Sequence, residues 1–292
     1  MKLLITGAGG QLGRDVADVC RAAGDDVVAT RRADLDVGDA AAVARVVADV
    51  RPDVIVNCAA WTAVDACEAD PERAHRDNAD AVRWLRQAAD EVAAHLVQIS
   101  TDYVFSGDLD RPYREDDATG PRSVYGRTKL AGEHAAGPAA TVVRTSWVCG
   151  EHGSNMVATV LGLLDRGVPE LAFVSDQRGN PTFTADLARA VRELAVARAA
   201  GVYHVTNSAT GDDGRPGVSW FEFVREIVSV AGGDPGIVRP ITTAELDPPR
   251  PAPRPANSVL DHVALAAAGI AGLGDYRHSL VGLIDRLRAP GG

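Results

Sequence analysis

Tyr125 and Lys129 stand four residues apart in "SVYGRTKLAGEH" (123–134), and that spacing points to acid–base chemistry. On a helix, side chains four apart are neighbours. An ammonium beside a phenol makes the phenol a better acid near neutral pH. Upstream, "HLVQIS" (95–100) has strand content and delivers Ser100, Thr101 and Asp102 to the strand's end. Hydroxyls at such an end, followed by Y-x-x-x-K, form one consistent site in which Tyr125 is the general acid.

A second set of residues addresses a nucleotide. In "LLITGAGGQLGRDV", Gly7, Gly10 and Gly13 follow an apolar strand and open a helix, with Gln11 and Leu12 between them. Such a turn lets backbone N–H groups and a helix N-terminus approach a pyrophosphate. The next strand ends "ATRRADLD". A carboxylate there would hold a ribose 2′-hydroxyl, whereas arginine accommodates a 2′-phosphate. Thr30, Arg31 and Arg32 precede the first acid, Asp34, so NADPH is expected ahead of NADH, with Asp34 and Leu35 beside the adenine. "VIVNCAA" ends in Ala59 and Ala60, small residues that let a cofactor lie against the backbone just before Trp61.

Elements of regular length must position these groups. "KLLIT" (2–6), "DVVAT" (26–30), "DVIVNCAA" (53–60), "HLVQIS" and "ATVVRTS" (140–146) are apolar at most positions, as strands buried on both faces are. Helical periods separate them: Leu12, Val16 and Val19; Val43, Val47 and Val50; and a longer helix from about Pro71 to Val92. The expected fold is α/β, a Rossmann-type doubly wound parallel sheet with a smaller α/β substrate-binding region in the C-terminal half. Residues 1–146 are expected to form the cofactor domain, completed by 171–206, a stretch in which "LAFVS" (171–175) is strand-like. Residues 147–170 and 207–292 would form the substrate region, which carries the irregular loops "DDGRPG" (212–217) and "DPPRPAPRP" (247–255).

Composition narrows the partners. With 30 Lys+Arg against 40 Asp+Glu, the chain lacks the basic balance expected of a nucleic-acid or anionic-membrane surface. No apolar run is long enough to cross a bilayer, and "MKLLITGAGG" breaks into glycines too soon for a signal peptide. Cys20, Cys58, Cys67 and Cys149 have no C-x-x-C spacing and read as buried thiols of a reducing compartment, so a cytoplasmic location is expected.

With these residues in view, the chain resembles the dTDP-4-dehydrorhamnose reductase family of the extended short-chain dehydrogenase/reductases. The resemblance rests on "TGAGGQLG", "RPDVIVNCAAWTAVDACE", "STDYVFSG", "VYGRTKLAGE", "RTSWVCG", "DQRGNPT" and "RPANS". It implies reduction of the C4 ketone of a dTDP-linked 4-keto-6-deoxysugar with NADPH. Tyr125 would protonate O4, Thr101 would donate a hydrogen bond to the same oxygen, and Lys129 would lower the phenol pKa and bind the nicotinamide ribose. The resemblance also implies that Asp102 orients a sugar hydroxyl, Trp147 packs near the sugar and Arg254 meets the diphosphate. Sugar-nucleotide 4,6-dehydratases carry Thr-Asp-Glu where this chain has Thr101-Asp102-Tyr103, so the extra acid for water elimination is missing. Some members have an acid at the position of Thr30, so NADH remains open. Some have a Mg²⁺-linked dimer, whose matching positions here are Asp15 and Asp186; monomer and homodimer are both open. Other readings are a 4-ketoreductase of another dTDP-deoxysugar, a sugar-nucleotide epimerase and a non-catalytic regulatory subunit on this fold. Intact Thr101, Tyr125 and Lys129 argue against the last.

Overall fold

The computed structural model of the chain describes residues 1–289. It begins with β1 (Lys2–Thr6), α1 (Gln11–Ala22), β2 (Asp26–Thr30), α2 (Ala40–Val50) and β3 (Val54–Asn57). A helical run follows: α3 (Val64–Ala69), α4 (Pro71–His75), a π-turn at Arg76–Asp80 and α5 (Ala81–Glu91). The long helix expected over 71–92 is therefore interrupted. The π-turn brings Asn78 to face Trp61, whose N–H it accepts at 2.8 Å and whose carbonyl it meets at 3.1 Å. Then come β4 (His95–Thr101), a single 3₁₀ turn over Asp102–Val104, α6 (Val124–Ala136) and β5 (Thr141–Thr145).

The second half has shorter strands: β6 (Val148–Cys149), α7 (Met156–Asp165), β7 (Leu171–Val174), β8 (Arg178–Gly179), β9 (Thr182–Phe183), α8 (Thr184–Ala197) and β10 (Gly201–His204). It closes with β11 (Asn207–Ser208), β12 (Val218–Ser219), α9 (Trp220–Val230), β13 (Val238–Ile241), α10 (Val263–Ala267), β14 (Leu273–Asp275) and α11 (Tyr276–Arg288).

Six strands make one parallel sheet, in the order β10-β5-β4-β3-β1-β2. Alternate residues feed its two faces. Leu3, Ile5, Val54, Val56, Val97 and Val143 pack with Leu12 and Val16 of α1 and Leu187 and Val191 of α8. Leu4, Ile55, Leu96 and Val142 pack with Val43 and Val47 of α2, Val82 and Leu85 of α5 and Ala136 of α6. Helices on both faces of a parallel sheet make the fold Rossmann-type and doubly wound.

From the stretch 171–206 this sheet takes only β10. The strand-like stretch 171–175 forms β7, which lies outside this sheet and pairs in parallel with β13. Leu171 and Val238 share a separate core with Val157, Phe223, Ile227 and Leu280. Four residues of apolar sequence suit either sheet, and the partner that decides lies more than sixty residues downstream. Among the described residues, no helix is long and apolar enough to cross a membrane.

Candidate active site

The β1–α1 turn is shaped by what its glycines lack. Gly7 has φ +67°, and a Cβ there would lie 2.6 Å from the Ala59 nitrogen. A Cβ on Gly13 would lie 2.4 Å from the Gly7 carbonyl oxygen, so only glycine lets α1 start this close to the strand. No side chain caps α1 at Gly10, which leaves the N-terminal amides of the helix available to an anion. Between this turn and the ends of β2 and β3 lies a cavity of about 270 Å³. Gly7, Gly10, Leu35, Ala59 and Ala60, all assigned to the cofactor in the sequence, line it, and so does Arg32.

Nine other residues assigned to the cofactor do not line that cavity: Gln11, Leu12, Gly13, Thr30, Arg31, Asp34, Trp61, Tyr125 and Lys129. Gln11 accepts hydrogen bonds from Gly150 N (2.9 Å) and Asn155 Nδ2 (3.0 Å), so it ties down the 150–155 loop. Leu12 is in the core and Gly13 serves helix packing. Thr30 turns its hydroxyl back to the Ile5 carbonyl (3.3 Å), and Asp34 accepts from the Arg31 N–H (2.9 Å). Trp61 lies under the Arg73 guanidinium, 4.2 Å from the ring centroid. Conversely, Gly9, Asp36, Val37, Cys58 and Asp77 line the cavity unannounced. Gly9 was visible in the glycine run; Asp77 was not, because the π-turn presents it.

Thr101, Tyr125 and Lys129 lie where α6 presses on the 3₁₀ turn. Ser123 caps α6 by accepting the Gly126 N–H at 3.1 Å, and Glu68 accepts the Val124 N–H at 2.7 Å. A Cβ on Gly126 would sit 2.3 Å from the Tyr103 carbonyl oxygen; glycine permits the contact that sets Tyr125 against Thr101. Tyr125 and Lys129 are both buried, and Lys129 Nζ donates to the Ile99 carbonyl at 2.6 Å. Thr101 Oγ1 donates to Asp102 Oδ1 at 2.9 Å and accepts the Tyr103 N–H at 3.3 Å.

Burial dominates the titration of this cluster. It pushes the Asp102 carboxyl up to about 6 against hydrogen bonds from Ser258 and Thr101, and Asp102 Oδ2 is buried without a partner. It pulls the Lys129 ammonium down to about 8, opposed by the Glu133 carboxylate. The Tyr125 phenol is pushed above its ordinary value, with the Thr101 hydroxyl pulling the other way. Desolvation outweighs charge here, and the ammonium is committed to a backbone carbonyl.

A buried ion pair braces the cluster from below. Glu133 accepts from Ser100 Oγ (2.5 Å), Arg144 Nε (2.9 Å) and a terminal Arg144 nitrogen (2.7 Å), and so joins α6 to β4 and β5. Both partners have their hydrogen bonds met, the condition under which a buried pair persists.

On the other side lies a narrow cleft lined by Tyr103, Trp147, Gln177, Trp220, Arg254 and Ser258. Tyr103 packs edge-on against Tyr125 at 5.5 Å between ring centroids, which links the cleft to Tyr125. Arg254, expected at a diphosphate, is instead bidentate on Asp65, with one bond at 2.7 Å, and also donates to the Ala252 carbonyl. That guanidinium holds the Asp65 carboxyl below its usual range.

The chain matches the family described as RmlD substrate binding domain over residues 1–289. It belongs to the RmlD family. It is 44% identical to the dTDP-4-dehydrorhamnose reductase of Streptomyces griseus over 95% of this chain and 91% of that protein. It is also 44% identical to a probable dTDP-4,6-dihydroxy-2-methyloxan-3-one 4-ketoreductase of Streptomyces antibioticus, over 96% and 93%. Among solved structures, a dTDP-4-dehydrorhamnose reductase of Bacillus anthracis in complex with NADP superposes with a TM-score of 0.89. It shares 35% identity, with 97% of this chain and 98% of that one covered.

Of the two positions matched to a Mg²⁺-linked arrangement, Asp186 is held by this chain's own residues. Asp186 is occupied by Asn207 Nδ2 (2.9 Å), the Ser279 hydroxyl and Arg189. Among the described residues, no three His, Cys, Asp or Glu side chains converge as a metal site would need. Asp186 is thus already satisfied by the chain's own polar groups.

Proposed function

We propose that the protein reduces the C4 ketone of a dTDP-4-dehydro-6-deoxyhexose, with dTDP-4-dehydrorhamnose as its substrate and NADPH as its reductant. The observation that carries this reading is the Thr101–Tyr125–Lys129 cluster at the carboxyl edge of the sheet, within an RmlD-family chain. The glycine turn fits the diphosphate of a dinucleotide, since it opens α1 with no side-chain cap on the helix's N-terminal amides. When bound, NADPH supplies the hydride.

The remaining steps belong to the chain. Tyr125 holds its proton firmly in the buried site and releases it to O4 as charge develops there. Thr101 steadies the same oxygen, and Lys129 offers a cation to the nicotinamide ribose. Asp102 addresses a sugar hydroxyl and Trp147 the sugar ring. Arg254 serves the diphosphate only if Asp65 releases it. Residues 1–146 with α8 and β10 form the cofactor half, and the short-stranded ribbons form the substrate half. With Tyr103 where a dehydratase has its glutamate, water elimination lacks its acid. The protein works in the cytoplasm.

A second reading is favoured by the equal identity to the 4-ketoreductase of Streptomyces antibioticus: the substrate would be another dTDP-4-keto-6-deoxysugar. One experiment decides. NADPH oxidation is followed with a panel of dTDP-4-keto-6-deoxysugars and the products are identified. Fastest turnover of dTDP-4-dehydrorhamnose to dTDP-rhamnose is expected. Preference for another sugar selects the second reading, and no NADPH consumption with any of them overturns both.

A further inference from the structure

Trp147 has φ +47°, the left-handed backbone region that a bulky residue occupies only when its surroundings over-determine it. Two contacts do so. Its indole stacks on Trp220 at 3.5 Å between centroids and 8° between planes. Its ring atoms also occupy the space over Gly179, where a Cβ would lie 2.6 Å from Cε2.

Both contacts come from one ribbon. β8 pairs antiparallel with β12, Gly179 opposite Val218 and Arg178 opposite Ser219. Ser219 then caps α9 reciprocally with Glu222, whose carboxylate accepts the Ser219 N–H at 2.6 Å, and this fixes Trp220 as the first helical residue. Arg178 staples the ribbon to the loop "DDGRPG": it donates to the Gly217 carbonyl at 2.9 Å and to Asp213 at 3.2 Å. A loop that had no evident purpose in the sequence thus anchors the base of the aromatic pair.

We infer that Trp220 is a positioning residue: it holds the Trp147 indole as a preformed wall of the cleft, against which the apolar face of the sugar ring packs. This rests on the reading of that cleft as the nucleotide-sugar site. Trp220 lines the cleft with Tyr103, Gln177, Arg254 and Ser258, so the stacked pair is part of the binding surface and not a remote prop.

The test measures binding of dTDP and of dTDP-rhamnose to the intact protein with NADP⁺, by calorimetry. Wild type should bind dTDP-rhamnose more tightly than dTDP. Trp220→Ala should lose about tenfold in dTDP-rhamnose affinity, the scale of one aromatic pair, and keep dTDP within about twofold. Trp220→Phe should restore most of the loss. Gly179→Ala, which crowds the indole from its own ribbon, should reproduce the selective loss, and it decides the matter if Trp220→Ala does not fold. Equal loss for both ligands, or none, overturns the inference. If the selective loss appears but no 4-keto sugar is reduced, the reductase reading fails while the wall stands. Turnover with an unchanged sugar increment retires the wall alone.

Discussion

The six-stranded sheet and the short-stranded ribbons shape their cavities by opposite means. Beneath the cofactor cavity, β1 and β3 are buried on both faces, and the cavity exists because Gly7 and Gly13 withhold a Cβ. Beneath the cleft, strands of two residues carry little order of their own, and side chains do the fixing. Asn180 Oδ1 accepts the Leu260 N–H at 3.0 Å, Asn207 Oδ1 accepts the Phe183 N–H at 2.9 Å, and Arg178 gathers a loop. A backbone-built cavity suits a ligand that never changes. A side-chain-built cleft can be re-cut for a new sugar by point substitution while the sheet stays intact.

The boundary between the halves should be the most sensitive place. Tyr125→Phe keeps the ring but removes the acidic hydrogen, so turnover should fall about 10²–10⁴-fold. Affinity for NADPH and for dTDP should hold, because neither half loses a packing contact. Single-turnover rates beside equilibrium titrations check this. A folded Tyr125→Phe protein reducing the 4-keto sugar at near wild-type rate would remove Tyr125 from the chemistry.

Gly7→Ala tests the claim that backbone shape makes the cofactor cavity. The new Cβ meets the Ala59 backbone at 2.6 Å with φ at +67°, a strain of about 1–3 kcal/mol. NADPH affinity should drop at least tenfold and the melting temperature should fall, while dTDP binding survives. Equal loss of both ligands would mean that the halves are not separable in this way.

The same contrast explains what the sequence disclosed. Five of the six sheet strands are mostly apolar runs, and helical periods separate them, so the Rossmann scaffold was legible even though the helix over 71–92 is interrupted. The pairing of β7 with β13 was not, because register between short strands depends on contacts far apart in the chain. Asp77 and the tilt of Thr30 away from the cavity were hidden for a different reason. They follow from a π-turn and from one hydroxyl's choice of the Ile5 carbonyl, neither of which leaves a periodic trace.

Lys129→Met should separate catalysis from stability. Burial holds the ammonium at about 8, below the 10.5 of a free lysine. Below about pH 8 the folded state bears the whole cost of burying the charge. Between about 8 and 10.5 the cost shrinks, and above 10.5 it is gone. The variant should therefore be more stable than wild type at pH 7, by an amount on the order of 3 kcal/mol at most. That gain should vanish as pH rises through this window. Removing the side chain strands no polar group, since Gln98 Nε2 still donates to the Ile99 carbonyl at 2.6 Å and Arg144 still pairs with Glu133. Denaturant unfolding at pH 7 and pH 10 tests it, and a less stable variant at pH 7 would show that the ammonium is a net structural contact. Turnover and NADPH affinity should both fall.

The smallest effect is expected at the rim of the cofactor cavity. Arg32 is more than half exposed, and its partners are distant, Asp36 at 3.7 Å and Asp77 at 3.8 Å, so its guanidinium is free to turn to a 2′-phosphate. Arg31 lays its stem over Gly9, where a Cβ would lie 3.5 Å from Cγ, and has its own N–H held by Asp34. Arg32→Asp should lower the NADPH-to-NADH ratio of kcat/KM about tenfold, a charged hydrogen bond weakened by exposure; Arg31→Asp should lower it less. Because the contact is at the surface, raising salt should erode the wild-type preference and leave the variant's ratio nearly flat. A wild-type enzyme that uses NADH as efficiently as NADPH would show that these arginines do not read the phosphate. Asp36 and Asp77, which also line the cavity, would then be the residues facing the ribose hydroxyls.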